Sequence, residues 1–407
     1  MEKQKNKMRK AIIFTLDGFQ VGGLVTMIAQ YAQVAFDLGY EPIVIGCVSD
    51  LTSPERTFQH CKICTIKYPL TYSLLNRIIA APKYILALHR IYKNYDVVLI
   101  HFGTIWSTFY ALFHPFTWKI KRVITLHGFE VTEVISVQSS TNLLLRIKAN
   151  LRQKLQFLCI NCSDEIIVLS KYSANWLYKL VGKSRYMSIT LIEPYIEISN
   201  FRTPVQKTER TQLHILNIGR AERRKGIRVL LEALSYINKK NISIIATIVS
   251  PILYFDYFDL LDYYESLNLF DTVHFLHKAD EQQKEKLYKN ADLFVMPSIA
   301  GETFGLAALE ALAHGIPVIG SNDGALPEIL GKIDTRLIVP KNNPRRLAEA
   351  IIRFYGLSFK EKQRISLKAM TIVRQCYTYD KMKNKLSKIY GGSMNIDYKE
   401  NKNEKDN

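Results

Sequence analysis

Short apolar runs alternate with amphipathic stretches along most of this chain. Five runs in the first half predict β-strands, at residues 11–16, 42–47, 97–102, 123–127 and 165–170. Six more follow in the second half, at residues 213–218, 242–249, 273–276, 292–296, 317–320 and 336–339. Between them, stretches such as Leu24 to Leu38 and Leu143 to Phe157 have the apolar spacing of helices. Continuous apolar strands alternating with helices predict an α/β fold of parallel sheets covered on both faces.

The alternation stops once, near the middle of the chain. Residues 199–212 are polar, contain a proline and lack apolar spacing, which predicts a linker. We therefore expect two Rossmann-like, doubly wound domains, over residues 1–198 and 213–375, that face each other across a cleft. Residues 376–391 are expected to form a helix that packs back on the first domain, and residues 392–407 a disordered tail. Ligands bind at the carboxyl ends of the strands in such folds, so the cleft is the expected site.

Composition and net charge limit the classes of binding partner that the protein is expected to have. The 407 residues are 48% hydrophobic and 23% charged, which is the balance of a globular protein of two domains. An excess of 55 Lys and Arg over 37 Asp and Glu gives a net charge of +18. Such an excess favours nucleic acid, an anionic membrane or phosphate-bearing substrates. No nucleic-acid-binding motif is recognisable, so a nucleic acid partner is not expected.

One uncharged stretch raises the question of a membrane span. Residues 97–118 carry no formal charge, but they include two histidines and a proline. A buried strand followed by a short helix, Ile105 to Phe113, fits the stretch better than a transmembrane helix. No secretory signal is visible at the start. We expect a cytoplasmic protein, with peripheral attachment to the inner face of the cell membrane as a further expectation.

That further expectation rests on residues 62–122. Nine basic side chains accompany a single acid there, and aromatic residues are interleaved, which suits an anionic membrane or a lipid-pyrophosphate acceptor. The alternative is that the aromatics belong to the core and the charges are scattered. The basic residues are Lys62, Lys67, Arg77, Lys83, Arg90, Lys93, Lys119, Lys121 and Arg122, the acid is Asp96, and the aromatics are Tyr68, Tyr72, Tyr84, Tyr92, Trp106 and Trp118.

Four of the six cysteines form two close pairs, Cys61 with Cys64 and Cys159 with Cys162. Two such pairs could bind zinc, because tetrahedral thiolate sites use this local spacing. The pairs are far apart in the sequence and lie beside apolar stretches, so buried reduced thiols are the favoured interpretation. We expect no bound metal.

The first candidate for anion binding follows the strand at residues 213–218. Gly219 allows a tight turn, and Arg220 and Lys225 then stand before an amphipathic helix. Two cations at a helix start suit a diphosphate. The alternative is a solvated charge run with no ligand.

A second candidate is the loop Gly301 to Gly305, which precedes an Ala- and Leu-rich helix. The amides from about Phe304 to Leu306 could bind phosphate or sugar oxygens. The carboxylates of Glu302 and Glu310 are good acceptors for vicinal hydroxyls of a ribose or hexose. Alternatively, Glu302 is only a helix cap and Glu310 a surface residue.

The first half offers weaker signals. Gly22 and Gly23 follow the first strand and open a helix, which is more often a turn than a phosphate site. His127 lies at the end of a strand, where ligands bind in this architecture, although a lone histidine is usually structural.

Together these motifs resemble retaining glycosyltransferase family four, the group with the B-type two-Rossmann (GT-B) fold. The resemblance covers residues 11–390 and is most specific between Glu302 and Glu328. The chain departs from the family at Pro194-Tyr195, where an Asn-Gly turn is usual, and at Ala325, where a second glycine is usual. The matching pieces are Gly22-Gly23, Thr125 to Gly128, Gly219-Arg220, Lys225-Gly226, Glu302 and Glu310 around Phe304-Gly305, Gly315 to Val318, and Gly324 to Glu328.

The resemblance also implies roles. Arg220 and Lys225 would hold the donor diphosphate rather than serve as structural salt-bridge partners. Glu302 would meet sugar hydroxyls, Glu310 the ribose, and His127 the transferred sugar. The implied catalytic residues are His127, Glu302, Arg220 and Lys225, and the implied donor-binding residues are Gly22, Gly23, Gly219, Arg220, Lys225, Thr303, Phe304, Gly305, Leu306 and Glu310.

The resemblance implies a hexosyl or N-acetylhexosaminyl transferase that uses a nucleotide-diphosphate sugar, UDP-linked before GDP-linked, and retains configuration. No Asp-x-Asp pair occurs in the chain, so metal-independent transfer is expected and no cofactor is needed. The acceptor would be a glycan or lipid-linked sugar of a bacterial cell-surface polysaccharide, which is inference by analogy. The alternative is a non-catalytic module that binds nucleotide sugars. A nicotinamide-dependent dehydrogenase is disfavoured, because neither half has Gly-x-Gly-x-x-Gly after its first strand.

Overall fold

The computed structural model describes residues 10–17, 19, 22–48, 57–67, 74–128, 143–181, 188–197, 212–250 and 256–391. The predicted linker, except for its last residue, and the predicted tail lie outside the described residues.

The first half forms a seven-stranded parallel sheet with the order β3-β2-β1-β4-β5-β6-β7. Its strands are β1 Lys10–Thr15, β2 Glu41–Val48, β3 Lys62–Lys67, β4 Asp96–Phe102, β5 Lys121–Leu126, β6 Glu165–Val168 and β7 Ser188–Leu191. Its helices are α1 Gly23–Asp37, α2 Leu74–Asn94, α3 Ile105–Leu112, α4 Leu143–Asn161 and α5 Lys171–Val181.

The second half forms a six-stranded parallel sheet with the order β10-β9-β8-β11-β12-β13. Its strands are β8 Leu213–Ile218, β9 Ile244–Val249, β10 Val273–Leu276, β11 Leu293–Met296, β12 Val318–Ser321 and β13 Ile338–Val339. The helices are α6 Ile227–Asn238, α7 Asp256–Ser266, α8 Glu281–Asn290, α9 Leu306–Ala313, α10 Leu326–Leu330, α11 Pro344–Tyr355, α12 Phe359–Cys376 and α13 Tyr379–Gly391. Both strand orders are those of a Rossmann fold, which confirms the predicted fold class.

The continuous apolar runs arise because both faces of the central strands are buried. On β1, Ile12 and Phe14 join one apolar cluster, whereas Ala11 and Ile13 join another. All four side chains are fully buried. Since successive residues of a strand point to opposite faces, a run without polar alternation indicates a sheet covered on both sides.

Two strands, β3 and β7, were not predicted from the sequence. Both lie at the edges of the first sheet. Their residues are mostly exposed or partly exposed, so their sequences, KICTIK and SITL, lack a strong apolar signal. Edge strands therefore account for the part of this sheet that hydrophobic patterning misses.

Residues 97–118 do not form a membrane-spanning helix. They form most of β4, then α3, and then a 3-10 turn at Pro115–Lys119. In the part of the chain that the structure describes, no helix is both long and apolar enough to cross a membrane.

The C-terminal helix α13 packs on the first domain. The hydroxyl of Tyr390 lies 2.9 Å from Nδ1 of His101, a fully buried residue of β4. Its backbone carbonyl accepts a hydrogen bond of 3.0 Å from Tyr40, and the carbonyl of Ile389 accepts one of 2.8 Å from Nζ of Lys121. Helix α13 is therefore part of the first domain's core.

The two cysteine pairs do not meet. Cys61 and Cys64 lie at the edge strand β3, and Cys159 and Cys162 lie at the end of α4, just before β6. Five strand spacings separate β3 from β6, which is about 24 Å. No cluster of three or more His, Cys, Asp or Glu side chains that could hold a metal ion occurs among the described residues. The zinc alternative is therefore wrong for these pairs, although only Cys159 is fully buried.

Candidate active site

The carboxyl ends of the two sheets face each other. A Cβ atom on Gly23, at the start of α1, would lie 2.9 Å from Cδ1 of Leu306, the first residue of α9. The hydroxyl of Thr303 donates a hydrogen bond of 2.9 Å to the carbonyl of His127. These contacts bring the loops after β1 and β5 of the first sheet against the loop after β11 of the second.

Most candidate residues of the second domain lie where its strand order reverses. Gly219 and Arg220 follow β8, and Glu302 lies in the loop after the neighbouring strand β11. In doubly wound folds, such a reversal opens a crevice at the carboxyl ends of the strands, where ligands bind.

Lys225 and Glu302 form a buried ion pair at this crevice. Nζ of Lys225 lies 2.6 Å from Oε2 of Glu302, and the two side chains are 17% and 9% exposed. The hydroxyl of Ser298 donates to the same oxygen at 3.3 Å. Burial alone would raise the pKa of Glu302, but the charge and hydrogen bond of Lys225, aided by Arg224, outweigh it and lower the pKa. Glu302 is therefore held as a carboxylate.

The backbone at Gly226 allows this pair to form. Gly226 has φ +71°, and a Cβ atom there would lie 1.9 Å from the carbonyl oxygen of Pro297, at the end of β11. Only glycine fits this left-handed position against the backbone. The chain before α6 therefore lies directly on the end of β11, which places Lys225 beside Glu302.

Arg220 also has a carboxylate partner. Its guanidinium lies 2.8 Å from Glu222, which also accepts a bond of 2.6 Å from Arg224. The expectation that Arg220 and Lys225 take no part in structural ion pairs is therefore wrong, because each is paired with a carboxylate of its own domain. The charge-run alternative does not fit Lys225, which is mostly buried. Contact with a donor diphosphate stays a prediction.

Glu302 does not cap the following helix. The N-cap residue of α9 is Gly305, and no side chain hydrogen-bonds there as a cap. The first amides of α9 are therefore left for another acceptor. Phe304 contributes only backbone to this region, because its ring is buried edge-to-face on Tyr377 with the centroids 5.7 Å apart.

Glu310 is not a simple surface residue. Its carboxylate accepts a hydrogen bond of 2.9 Å from the hydroxyl of Tyr288, whose ring stacks on His314 at 4.6 Å. Burial raises the pKa of Glu310. This geometry leaves a carboxylate one turn along α9, with its role towards a ribose still a prediction.

His127 extends from the end of β5 to the contact with Thr303. Its Nε2 is buried and has no hydrogen-bond partner among the described residues. Burial lowers the pKa of His127 to about 3, so the imidazole is neutral near pH 7. A neutral ring with one unpaired nitrogen at the domain boundary can donate or accept one hydrogen bond to a ligand.

The remaining glycines differ in their surroundings. Gly22 is the N-cap of α1, and no atom lies within 4 Å of a Cβ built on it or on Gly219. Both positions therefore present open backbone, whereas Gly23 is packed against Leu306.

The two departures from the family pattern are accommodated locally. Ala325 has φ −86°, a conformation that needs no glycine. Tyr195 is 6% exposed, its carbonyl accepts a bond of 2.8 Å from Gln30, and its ring packs edge-to-face on Tyr379. An aromatic side chain therefore fills the place between α1 and α13 that a glycine turn would leave open.

Sequence reasoning missed three side chains that support the site. Ser298 binds Glu302, Tyr288 binds Glu310, and Ser173 of α5 donates a bond of 3.4 Å to the carbonyl of Thr303. Ser298 could have been noticed as the second residue after a strand end. The other two lie on helices remote in sequence, and no local pattern distinguishes them.

Comparison with solved structures identifies the fold, and family models identify the class of protein. HepE of Anabaena, solved in complex with UDP-glucose, is 18% identical and similar over 94% of this chain and 99% of that chain, with a TM-score of 0.73. This likeness shows a GT-B glycosyltransferase fold. The family model for glycosyl transferases group 1 matches residues 200–370, and that for Glycosyltransferase Family 4 matches residues 21–196. The chain belongs to glycosyltransferase family 4.

Curated relatives share parts of the chain. A D-inositol 3-phosphate glycosyltransferase of Paenarthrobacter aurescens is 24% identical over 277 residues, 66% of either chain. The amylovoran biosynthesis glycosyltransferase AmsK of Erwinia amylovora is 23% identical over 268 residues, 63% of this chain and 61% of that protein. This chain thus spans about two thirds of the length of these relatives.

Proposed function

We propose that this glycosyltransferase moves a hexosyl or N-acetylhexosaminyl unit from a nucleotide-diphosphate sugar, with UDP favoured over GDP, and retains the anomeric configuration. The observation that carries the proposal is the buried Lys225–Glu302 pair beside the uncapped start of α9. Cations and amides together suit a diphosphate, and a carboxylate suits sugar hydroxyls. The complex of HepE with UDP-glucose supports this class of donor.

In this proposal the donor lies mainly on the second domain. Lys225 and Arg220 turn from Glu302 and Glu222 to the diphosphate, and the amides at the start of α9 bind its oxygens. Glu302, released from Lys225, accepts hydrogen bonds from the sugar hydroxyls. Glu310 accepts them from the ribose.

The bond from the sugar to the diphosphate breaks as negative charge grows on the leaving phosphate. Lys225, Arg220 and the α9 amides stabilise that charge. The leaving phosphate takes the proton of the acceptor hydroxyl, which attacks the same face of the sugar, so the configuration is retained. The neutral His127 supports the sugar and is not a proton acceptor at pH 7.

We propose that transfer needs no metal ion, because two cations and a helix start supply the positive charge for the leaving group. A bacterial glycan or lipid-linked sugar is the proposed acceptor, at the inner face of the cell membrane. The relative AmsK, named for amylovoran biosynthesis, supports a role in cell-surface polysaccharide synthesis.

The expected result with a panel of UDP- and GDP-sugars is slow donor hydrolysis or transfer that persists after exhaustive EDTA treatment. Proton NMR should show the product in the anomeric configuration of the donor. Activity that EDTA abolishes and Mn²⁺ restores, or an inverted product, would contradict the mechanism and leave the fold assignment intact.

We also propose that the first domain contacts an anionic membrane, through a set of aromatics that shares only Trp118 with the one first expected. Tyr84 is fully buried, and the hydroxyl of Tyr92 is hydrogen-bonded to that of Thr117. Tyr68 and Tyr72 lie outside the described residues. Among the described residues of this segment, the exposed aromatic side chains are Phe113, Phe116 and Trp118, which are 62%, 47% and 51% exposed.

Basic groups accompany these aromatics. Nζ of Lys119 lies 5.1 Å from the ring centre of Phe116, and the guanidinium of Arg122 lies 4.8 Å from that of Trp118. We call the surface formed by residues 113–122 the aromatic ledge. A lipid interface can bury its rings while Lys119 reaches the anionic headgroups. Arg122 is already paired with Asp164 at 2.6 Å and supports the ring of Trp118.

Co-sedimentation with vesicles tests the ledge. Wild-type protein should bind anionic vesicles at low salt, and Phe113→Ser with Trp118→Ser should reduce the binding by about tenfold or more. Phe270→Ser is the matched control, because Phe270 is 54% exposed on the second domain. Equal recovery of wild type with neutral and anionic vesicles would refute the proposal.

A further inference from the structure

A carboxylate of the second domain occupies the start of a helix of the first domain. Glu328, on α10, accepts hydrogen bonds from the backbone amides of Lys171 at 3.0 Å and Tyr172 at 2.6 Å. Each of its oxygens binds one amide. These are the first two residues of α5.

With this contact, each of the first three backbone amides of α5 has a hydrogen-bond acceptor. The third amide, that of Ser173, donates to the hydroxyl of Ser170 at 3.1 Å. The first amides of a helix lack partners within it and carry partial positive charge. Glu328 therefore supplies, from the other domain, the acceptors that α5 does not find in its own.

The segment that carries Glu328 is also fixed to the active-site loop. Gly324 has φ +60°, and a Cβ atom there would lie 2.0 Å from the carbonyl oxygen of Glu302. That carbonyl accepts a bond of 2.9 Å from the amide of Ala325. Any shift of α10 must therefore shift the backbone of Glu302 with it.

The first domain is also hydrogen-bonded to the loop that carries Glu302. Ser173 donates to the carbonyl of Thr303, and Thr303 donates to the carbonyl of His127. The start of α5, the loop at Glu302 and the end of β5 thus form one connected set of contacts across the cleft.

We propose that Glu328 is a positioning residue that locks the two domains in the arrangement in which His127 meets the loop of Glu302. It touches neither donor nor acceptor. When the lock opens, the donor can enter the second domain; when Glu328 binds α5, the sugar-binding parts of both domains come together. This role in turnover rests on the proposed function, whereas the lock itself does not.

A proline substitution tests the lock without touching Glu328. Lys171→Pro removes the amide that donates to Glu328, and proline is well tolerated at the first position of a helix. Lys171→Ala is the matched control, because it removes the same charged side chain and keeps the amide. Glu328→Gln is a second, independent variant, since its amide group places a donor against a donor.

The distance between the domains is measured by fluorescence energy transfer in the full chain, with azide-bearing residues introduced at the exposed positions Leu86 and Tyr236. Lys171→Pro and Glu328→Gln should broaden this distance and lower kcat by about tenfold, the effect of losing a charge-assisted hydrogen bond. The Kd for UDP should change less than about twofold, because the proposed UDP contacts lie on one domain.

Two results would overturn the lock: a domain distance in both variants equal to that of Lys171→Ala, or a Kd for UDP that rises as much as kcat falls. The distance measurement needs no turnover. A wild-type protein that transfers no sugar would therefore count against the proposed function and leave the lock to be judged on distance alone.

Discussion

Glu302→Gln is expected to lower kcat by about 10²- to 10³-fold while the protein still folds. Glutamine keeps the shape of the side chain and an oxygen for Lys225 and Ser298, so the local packing survives. It loses the charge that holds Lys225 and the strong acceptor for sugar hydroxyls. Steady-state kinetics with the preferred nucleotide sugar, and thermal melts of the same samples, measure both effects.

The control is Glu349→Gln, a change of an exposed carboxylate on α11, which should leave kcat and melting temperature unchanged. A variant Glu302→Gln that turns over like wild type and loses only stability would show that Glu302 is structural.

The proposed contacts of Arg220 and Lys225 with the diphosphate require different variants, because the two side chains differ in burial. Arg220 is 45% exposed, so Arg220→Ala should weaken UDP binding without loss of stability. Lys225→Ala would leave Glu302 buried without its partner, which costs about 3–5 kcal/mol of stability. The double variant Lys225→Ala with Glu302→Gln should recover much of that stability and still bind UDP weakly. The two roles of Lys225 are separated by comparing these variants.

Folding stability is expected to fall by about 4 kcal/mol between pH 7 and pH 5 through two histidines alone. Burial lowers the pKa of His101 to about 3, with a further effect from the nearby His127, and burial lowers the pKa of His127 to about 3 as well. In the unfolded chain both titrate near pH 6.5. Below about pH 6.5 both histidines bind protons in the unfolded state but not in the folded state. The free energy of unfolding therefore decreases as the pH falls below about 6.5.

Urea denaturation of wild type and His101→Gln at both pH values isolates one of the two groups. Wild type should lose about 2 kcal/mol more than the variant between pH 7 and pH 5. Glu310, whose pKa burial raises, acts in the opposite direction in both proteins and cancels in the comparison. His274→Gln, at an exposed position, should leave the loss as in wild type. Equal losses in wild type and His101→Gln would contradict the prediction.

Much of this fold is legible in the sequence because burial on both faces of a strand leaves a continuous apolar run. The run at residues 213–218 coincides with β8, and the run at residues 292–296 contains the fully buried strand β11. The edge strands β3 and β7 escape this reasoning, because half-buried residues carry no such signal. The family motifs locate the Glu302 loop because they contain glycines that the fold requires. At Gly226 and Gly324 a side chain would collide with a backbone carbonyl.

The interactions around those motifs could not be predicted. The ion pair of Lys225 with Glu302 joins residues 77 positions apart, and the contact of Glu328 with Tyr172 joins residues 156 apart. Charge and spacing identify each residue as a candidate but do not say which partner it takes. Likewise, the sequence does not show which aromatics of residues 62–122 are buried. Tyr84 lies in the core, whereas Trp118 lies on the surface.

The docking of α13 on the first domain has a consequence for how the protein is made. The ribosome releases residues 1–191, the whole first sheet, long before it releases Tyr390, which completes the hydrogen bonds of the buried His101. Domains generally fold during synthesis in order of emergence. Here the second domain emerges and can fold in between, and the first can finish its core only after Tyr390 has emerged. The nascent first domain must therefore wait for α13, with the Nδ1 atom of His101 unpaired and an apolar surface uncovered.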